Sequence, residues 1–212
     1  MRYRNSLMQR LTQFISVILH PLFMPLYATY ILLNSGSYLS FAVSKQMQTV
    51  IYLIVFITTY ILPAISSLFL YRQGVIKSPE MESRTERSLP LFSAIVSYMA
   101  GLYLLLNLPL PKIFALLLSG GLLILIVAFI INLRWKISLH MLGIGGILGL
   151  LLGFARILQA NVFIPVIITA VLAGLLASVR LWRNAHTPAQ IYIGFLTGFA
   201  VQYGYFWGLE RL

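Results

Sequence analysis

Arg180, Arg183 and His186 stand together in the stretch Arg180-Leu181-Trp182-Arg183-Asn184-Ala185-His186-Thr187-Pro188-Ala189-Gln190, a short polar loop wedged between two long apolar runs. Two further polar loops occur. One runs from Arg72 to Pro90 and carries Lys77, Arg84, Arg87 and three of the four acidic residues; the other, Arg134 to His140, carries Arg134, Lys136, Ser138 and His140. Arg and Lys drawn from separate loops make a pocket for phosphate, because guanidinium offers forked donors to its oxygens and ammonium a point charge. Two histidines in that pocket add a nucleophile and a general acid, the two roles that phosphoryl transfer by covalent catalysis requires. This chemistry needs no metal and no cofactor. The carboxylates of Glu80, Glu82 and Glu86 offer a divalent-cation site with His140 or His186 as the alternative. That loop brings as many basic groups as carboxylates, however, and the spacing matches no coordination pattern, so no metal is expected.

The elements that must bring these loops together are membrane helices. The chain is 60% hydrophobic and 9% charged, with a mean hydropathy of +0.92, which is the composition of a polytopic membrane protein. A transmembrane helix needs about 20 mostly apolar residues, and seven stretches qualify or nearly so: roughly 11–33, 50–71, 89–106, 111–133, 140–158, 162–179 and 189–209. The first is interrupted by Pro21 and Pro25, each of which removes a backbone bond and kinks a helix; a broken or re-entrant segment is expected, with His20 a hydrogen-bonded residue at the break. Arg2, Arg4 and Arg10 precede this segment as in a signal peptide, but no convincing small-residue cleavage site follows, so it reads as an uncleaved first membrane segment. Short turns at 34–37, 107–111 and 159–161 separate the stretches, and no linker or repeat appears. The expectation is one all-α integral membrane domain, 1–212, with six to seven transmembrane segments.

Within the fifth segment Gly145, Gly149 and Gly153 are four apart, which puts small residues on one helical face and lets a neighbouring backbone approach closely. Trp135, Trp182 and Trp207 fall near segment ends, where indole suits the headgroup zone.

The net charge of +11 would suggest nucleic acid in a soluble protein, but the cations sit in short loops with no extended basic face, so no nucleic-acid partner is expected. The chain has no cysteine, which excludes disulfides, thiolate metal sites and a cysteine nucleophile. Seven crossings put all three polar loops on one side. Of the 15 Lys and Arg residues, only Lys45, Lys112, Arg156 and Arg211 fall opposite, and the positive-inside bias makes the polar-loop face cytoplasmic. A bacterial inner membrane is the expected location. Arg87, Arg134, Lys136 and Arg183 read as headgroup contacts or topology signals, and Glu82 and Glu86 as pairing with Arg84 and Arg87.

Lys77 is followed after six residues by Arg84; Ser138-Leu139-His140 comes next; then Arg180 is followed after five residues by His186 and after three more by Gln190. This order and separation, covering the chain from Lys77 onward (motif region 77–190), resembles the three-part signature of the type 2 phosphatidic acid phosphatase superfamily. In that family the motifs are Lys, six residues, Arg-Pro; Pro-Ser-Gly-His; and Ser-Arg, five residues, His, three residues, Asp. The resemblance implies His186 as the nucleophile that forms a phosphohistidine, His140 as the acid that protonates the leaving alkoxide, and Lys77, Arg84, Ser138 and Arg180 as the phosphate cradle. Thr85, Ile137, Leu139 and Val179 depart from the pattern, and so does Gln190, where the family has aspartate. A carboxylate there fixes the tautomer of the histidine and stabilises its cation; glutamine orients the ring but brings no charge. The expectation is a membrane phosphatase acting on a lipid phosphate monoester or diphosphate (phosphatidate-, phosphatidylglycerophosphate- or polyprenyl-phosphate-like). The alternative is a non-catalytic membrane protein that binds or transports phosphorylated lipids.

Overall fold

The computed structural model describes residues 6–36, 41–78, 81, 83–157 and 160–209, and among them helices are joined by short connections with no strand. The helices are α1 (Ser6–Ile18), α2 (Met24–Asn34), α3 (Lys45–Phe56), α4 (Leu62–Arg72), α5 (Arg84–Asn107), α6 (Lys112–Asn132), α7 (Leu139–Ile157), α8 (Phe163–Trp182) and α9 (Pro188–Leu209). Six segments are long and apolar enough to cross a membrane: the α1–α2 and α3–α4 pairs, and each of α5 to α8. The protein is an all-α integral membrane bundle. Its outside is as apolar as its inside: Phe14, Leu53, Phe69, Phe92, Tyr103, Ile130, Phe163 and Val171 are all more than half exposed, a surface that only lipid tolerates over such an area.

The first segment breaks where the prolines require it. A 3₁₀ turn, Pro21–Phe23, joins α1 to α2, and His20 caps it, its Nδ1 accepting the Leu22 N–H at 3.3 Å. Helix termination leaves carbonyls without intrahelical donors; the Tyr27 hydroxyl takes that of Ile18 at 2.7 Å, and a ring nitrogen of His140 takes that of Ser16 at 3.1 Å. In the second segment a π turn, Ile57–Ile61, precedes Pro63. The wide turn accommodates a proline ring that would otherwise collide with the carbonyl four residues back.

The third segment starts at Arg84, earlier than its apolar pattern. Ser83-Arg84-Thr85-Glu86 has the sequence of a capping box, and Ser83 caps the helix: its hydroxyl accepts the Glu86 N–H at 3.3 Å and donates to the Glu86 carboxylate at 2.9 Å. Arg84 and Arg87 therefore belong to the first turn of α5, not to a loop. The pairing of Glu86 with these arginines is not formed either. Its carboxylate accepts the Ser83 hydroxyl and the Lys77 backbone N–H, while both arginines donate to backbone carbonyls. Glu80 and Glu82 lie outside the described residues.

α7 and α9 form the most closely packed pair. A Cβ on Gly149 would lie 2.5 Å from the Phe199 carbonyl oxygen, one on Gly153 would lie 2.6 Å from Phe206 Cβ, and one on Gly145 would overlap the Phe195 carbonyl. The glycine stripe thus serves contact with α9, whose own Gly198 lies against the Leu142 carbonyl. This packing fixes the starts of both helices relative to each other: the Ser138 N–H reaches the Gln190 carbonyl at 3.3 Å. Those two helix starts carry His140 and His186.

Candidate functional site

His186 lies between α8 and α9, and its position follows from how α9 begins. Thr187 and Pro188 start the helix; the Gln190 amide folds back so that its Oε1 accepts the Thr187 N–H at 3.2 Å and meets His186 Nδ1 at 3.0 Å. Because that oxygen only accepts, the imidazole proton sits on Nδ1 and the Nε2 lone pair is left for a ligand. His186 is 7% exposed. Burial pushes its pKa down from 6.5 to about 3, opposed by the Gln190 hydrogen bond and reinforced by the charges of Arg87, Arg180 and Lys136.

The sign is that of a base kept neutral. Below about pH 6.5 the unfolded chain takes up a proton at this position that the folded chain refuses. Stability from His186 is complete above that pH and is lost as the pH falls toward 3. Nitrogen-15 spectra of histidine-labelled protein should accordingly show His186 neutral and protonated on Nδ1 from pH 8 down to 5. A titration near 6.5 would contradict this geometry.

His186 opens on a cavity of about 450 Å³ whose mouth is lined by His20, Arg87, His140, Arg180 and Arg183. They arrive on four elements: His20 at the proline break, Arg87 in the first turn of α5, His140 in the first turn of α7, Arg180 in the last turn of α8 and Arg183 at its C-cap. His20 and His140 touch edge to face, ring centroids 5.3 Å apart. Because a carbonyl only accepts, the His140 nitrogen on Ser16, Nε2, carries the proton and Nδ1 is the acceptor. Arg87 is 6% exposed and braces the mouth, its Nε donating to the Met81 carbonyl at 2.9 Å and its Nη1 to the Ile137 carbonyl at 3.1 Å.

Beneath the mouth the walls are apolar: Met24 and Ala28 from α2, Leu91 and Ala94 from α5, Leu117 and Leu118 from α6, and Ile147 and Leu150 from α7. From Arg87 to Tyr98, both lining residues on α5, the helical rise of 1.5 Å per residue gives a depth of about 16 Å. A cationic mouth over an apolar shaft suits an amphiphile with an anionic head.

Of the residues singled out in the sequence, His140, Arg180 and His186 line this cavity, and Gln190 stands directly behind His186. Lys77, Arg84 and Ser138 are not among its lining residues. Lys77 and Arg84 are exposed, and Arg84 donates to the Leu133 carbonyl. Ser138 is fully buried at the α7–α9 junction, and its hydroxyl has no hydrogen-bond partner. Arg87, Arg183 and His20, read as headgroup or structural residues, are brought to the mouth instead. For Arg87 the signal was helical phase: Arg87, Leu91, Ala94 and Tyr98 fall at spacings of four, three and four on one face of α5.

No protein-family model, no curated protein and no solved structure matches this chain. The likeness to the lipid phosphatases therefore rests on the motif residues quoted above.

Proposed function

We propose that the protein is a metal-independent membrane phosphatase that hydrolyses a lipid phosphate monoester or diphosphate at His186. The observation that carries this reading is the His186 imidazole: neutral, with its proton held on Nδ1 by Gln190, and facing a cavity mouth where Arg87, Arg180 and Arg183 offer guanidinium to phosphate oxygens. Such a ring is ready to attack without first losing a proton. In the first step the Nε2 lone pair forms the N–P bond while the P–O bond to the lipid breaks, and the leaving oxygen takes a proton. His140 supplies it when protonated on Nδ1, its Nε2–H remaining on the Ser16 carbonyl. In the second step water attacks phosphorus, His140 takes back the proton, and inorganic phosphate leaves with His186 neutral again. The arginines stabilise charge on the phosphoryl oxygens in both steps.

The apolar shaft supports a lipid as the substrate, with its chain beneath the mouth and its phosphate among the arginines. The charge bias supports a cytoplasmic site face in a bacterial inner membrane. One feature favours the second reading, a protein that binds or transports phosphorylated lipids without hydrolysing them: Gln190 brings no charge to stabilise the cationic phosphohistidine.

The two readings part in a release assay on purified protein with phosphatidate, phosphatidylglycerophosphate and a polyprenyl phosphate. Wild type should release phosphate from at least one, and Gln190→Asp should release it faster. The gain is bounded by the roughly 10⁴-fold that a carboxylate contributes behind a catalytic histidine. If neither protein releases phosphate from any of them, while binding falls on Arg180→Ala, the hydrolase reading fails.

A further inference from the structure

The cavity is open along its side as well as at its mouth. Val17 of α1 is 56% exposed and still lines it, as does the exposed Gln13 four residues before, so one face of α1 borders both the cavity and the surroundings of the bundle. Pro63 and Ser67, again four apart, line it from α4. The two helices are joined at their inner ends, where Phe23 of the turn after α1 stacks on Tyr60 of the turn before α4, ring centroids 4.4 Å apart. From this joint both run to the face that carries His186, and each leans on a different neighbour. α1 packs against α8, and α4 against α5, to which a pair of hydroxyls, Ser66 and Ser93, ties it at 2.7 Å. At a rise of 1.5 Å per residue, Val17 lies about 16 Å from the start of α1 and Pro63 about 14 Å from the end of α4. The opening therefore descends about halfway through a hydrocarbon layer roughly 30 Å thick, between two segments apolar enough to cross a membrane. Lipid, not water, faces an opening at that depth. Gln13 nonetheless sets an amide at its edge, a group that hydrocarbon alone does not solvate.

We propose that the opening between α1 and α4 is a lateral door through which a lipid phosphate enters from the bilayer, its headgroup passing Gln13 and Ser67 to reach the arginines while its chain follows through the gap. A lipid taken in this way never leaves the membrane. Entry from the water would first draw the chain out of the bilayer, a step whose cost grows with every methylene. The door thus selects for anions that carry a long chain and reside in the leaflet beside it, and a short-chain anion reaches the same arginines from the water. The inference rests on the lipid-anion part of the proposed function and is independent of hydrolysis.

The chain has no cysteine of its own, so the door can be closed by chemistry at chosen positions. Full-length protein carrying Val17→Cys and Ser67→Cys is placed in nanodiscs and bridged with bis-methanethiosulfonate linkers of graded length, which a reductant cuts again. Two radiolabelled probes with an unhydrolysable P–C bond are compared, hexadecylphosphonate supplied in the bilayer and butylphosphonate supplied in the water, each counted as the binding lost in Arg180→Ala. Bridging should abolish binding of hexadecylphosphonate, reduction should restore it, and butylphosphonate should bind throughout. A second pair of variants needs no bridge. Val17→Cys blocked with the apolar reagent pyrenylmaleimide should lose hexadecylphosphonate, whereas Phe14→Cys, on the same helix and 62% exposed but not a lining residue, should keep it after the same treatment. If hexadecylphosphonate binds equally to bridged and reduced protein, or equally to the Val17 and Phe14 adducts, the lipid enters elsewhere and the inference is wrong. If closure removes both phosphonates together, the gap is part of the headgroup site rather than a door, and it is equally wrong. Failure of both phosphonates to bind wild type would instead remove the lipid-anion site itself, and this inference with it.

Discussion

His186→Ala is expected to lower phosphate release from a lipid phosphate by at least about 10⁴-fold, the scale of loss when the nucleophile of a covalent hydrolase is removed. Binding should survive, because Arg87 and Arg180 reach the mouth from α5 and α8, outside the loop that carries His186. Single-turnover release and equilibrium binding, measured on the same preparation, separate the two effects. A variant that loses both together would make His186 a part of the fold or of the headgroup contact. A variant that keeps its turnover would place the nucleophile elsewhere. His186→Gln is the informative companion: it preserves much of the volume and the capacity to hydrogen bond but offers no imidazole nitrogen, so its turnover should fall as far as that of alanine.

The second large effect is on stability. Gly198→Leu places a side chain where the Leu142 carbonyl of α7 already lies, and a backbone atom cannot step aside as the end of a flexible side chain does. Overpacking costs about 1–3 kcal/mol when side chains can shift; here two helix backbones must separate, so a loss of at least about 3 kcal/mol is expected. Gly174, on α8, has nothing within 4 Å of its Cβ position. Gly174→Leu should change stability by less than about 0.5 kcal/mol, the usual range for a substitution on an open face. Thermal unfolding in detergent compares the two variants. Equal stability would contradict the close α7–α9 contact, and with it the mechanism that sets His140 and His186 at neighbouring helix starts.

Much of this arrangement was legible because membrane helices announce themselves by length and apolarity, and because prolines and glycines act locally. The break at Pro21 and the Gly145, Gly149 and Gly153 face follow from such local signals; the seventh stretch, 189–209, forms α9 but is not among the six segments apolar enough to cross. The joining of His140, Arg180 and His186 followed from counting crossings, which fixes a side of the membrane without fixing a contact. What was not legible depends on helical phase and on helix starts. Arg84 and Arg87 are three residues apart in one polar stretch, and the Ser83 N-cap makes both helical. Once they are helical, the cavity takes Arg87 and leaves Arg84 exposed on α5. His20 looked like a proline-break residue because it is one; that the same break sets it against His140 is a tertiary fact with no trace in spacing.

If His186 Nε2 attacks a lipid phosphate, the phosphoryl group must rest on its ring between the two steps, and stopping the reaction captures it there. Purified protein mixed with a lipid phosphate, quenched within the first turnover and digested under alkaline conditions that preserve phosphohistidine, should yield one phosphorylated peptide, modified at His186. The phosphoryl group should be absent from the same peptide of His186→Ala, and it should accumulate to a different level in Gln190→Asp, whose carboxylate stabilises the cationic intermediate. Phosphate release from wild type with no protein-bound phosphoryl group at any time, or with the group on a residue other than His186, would contradict the account.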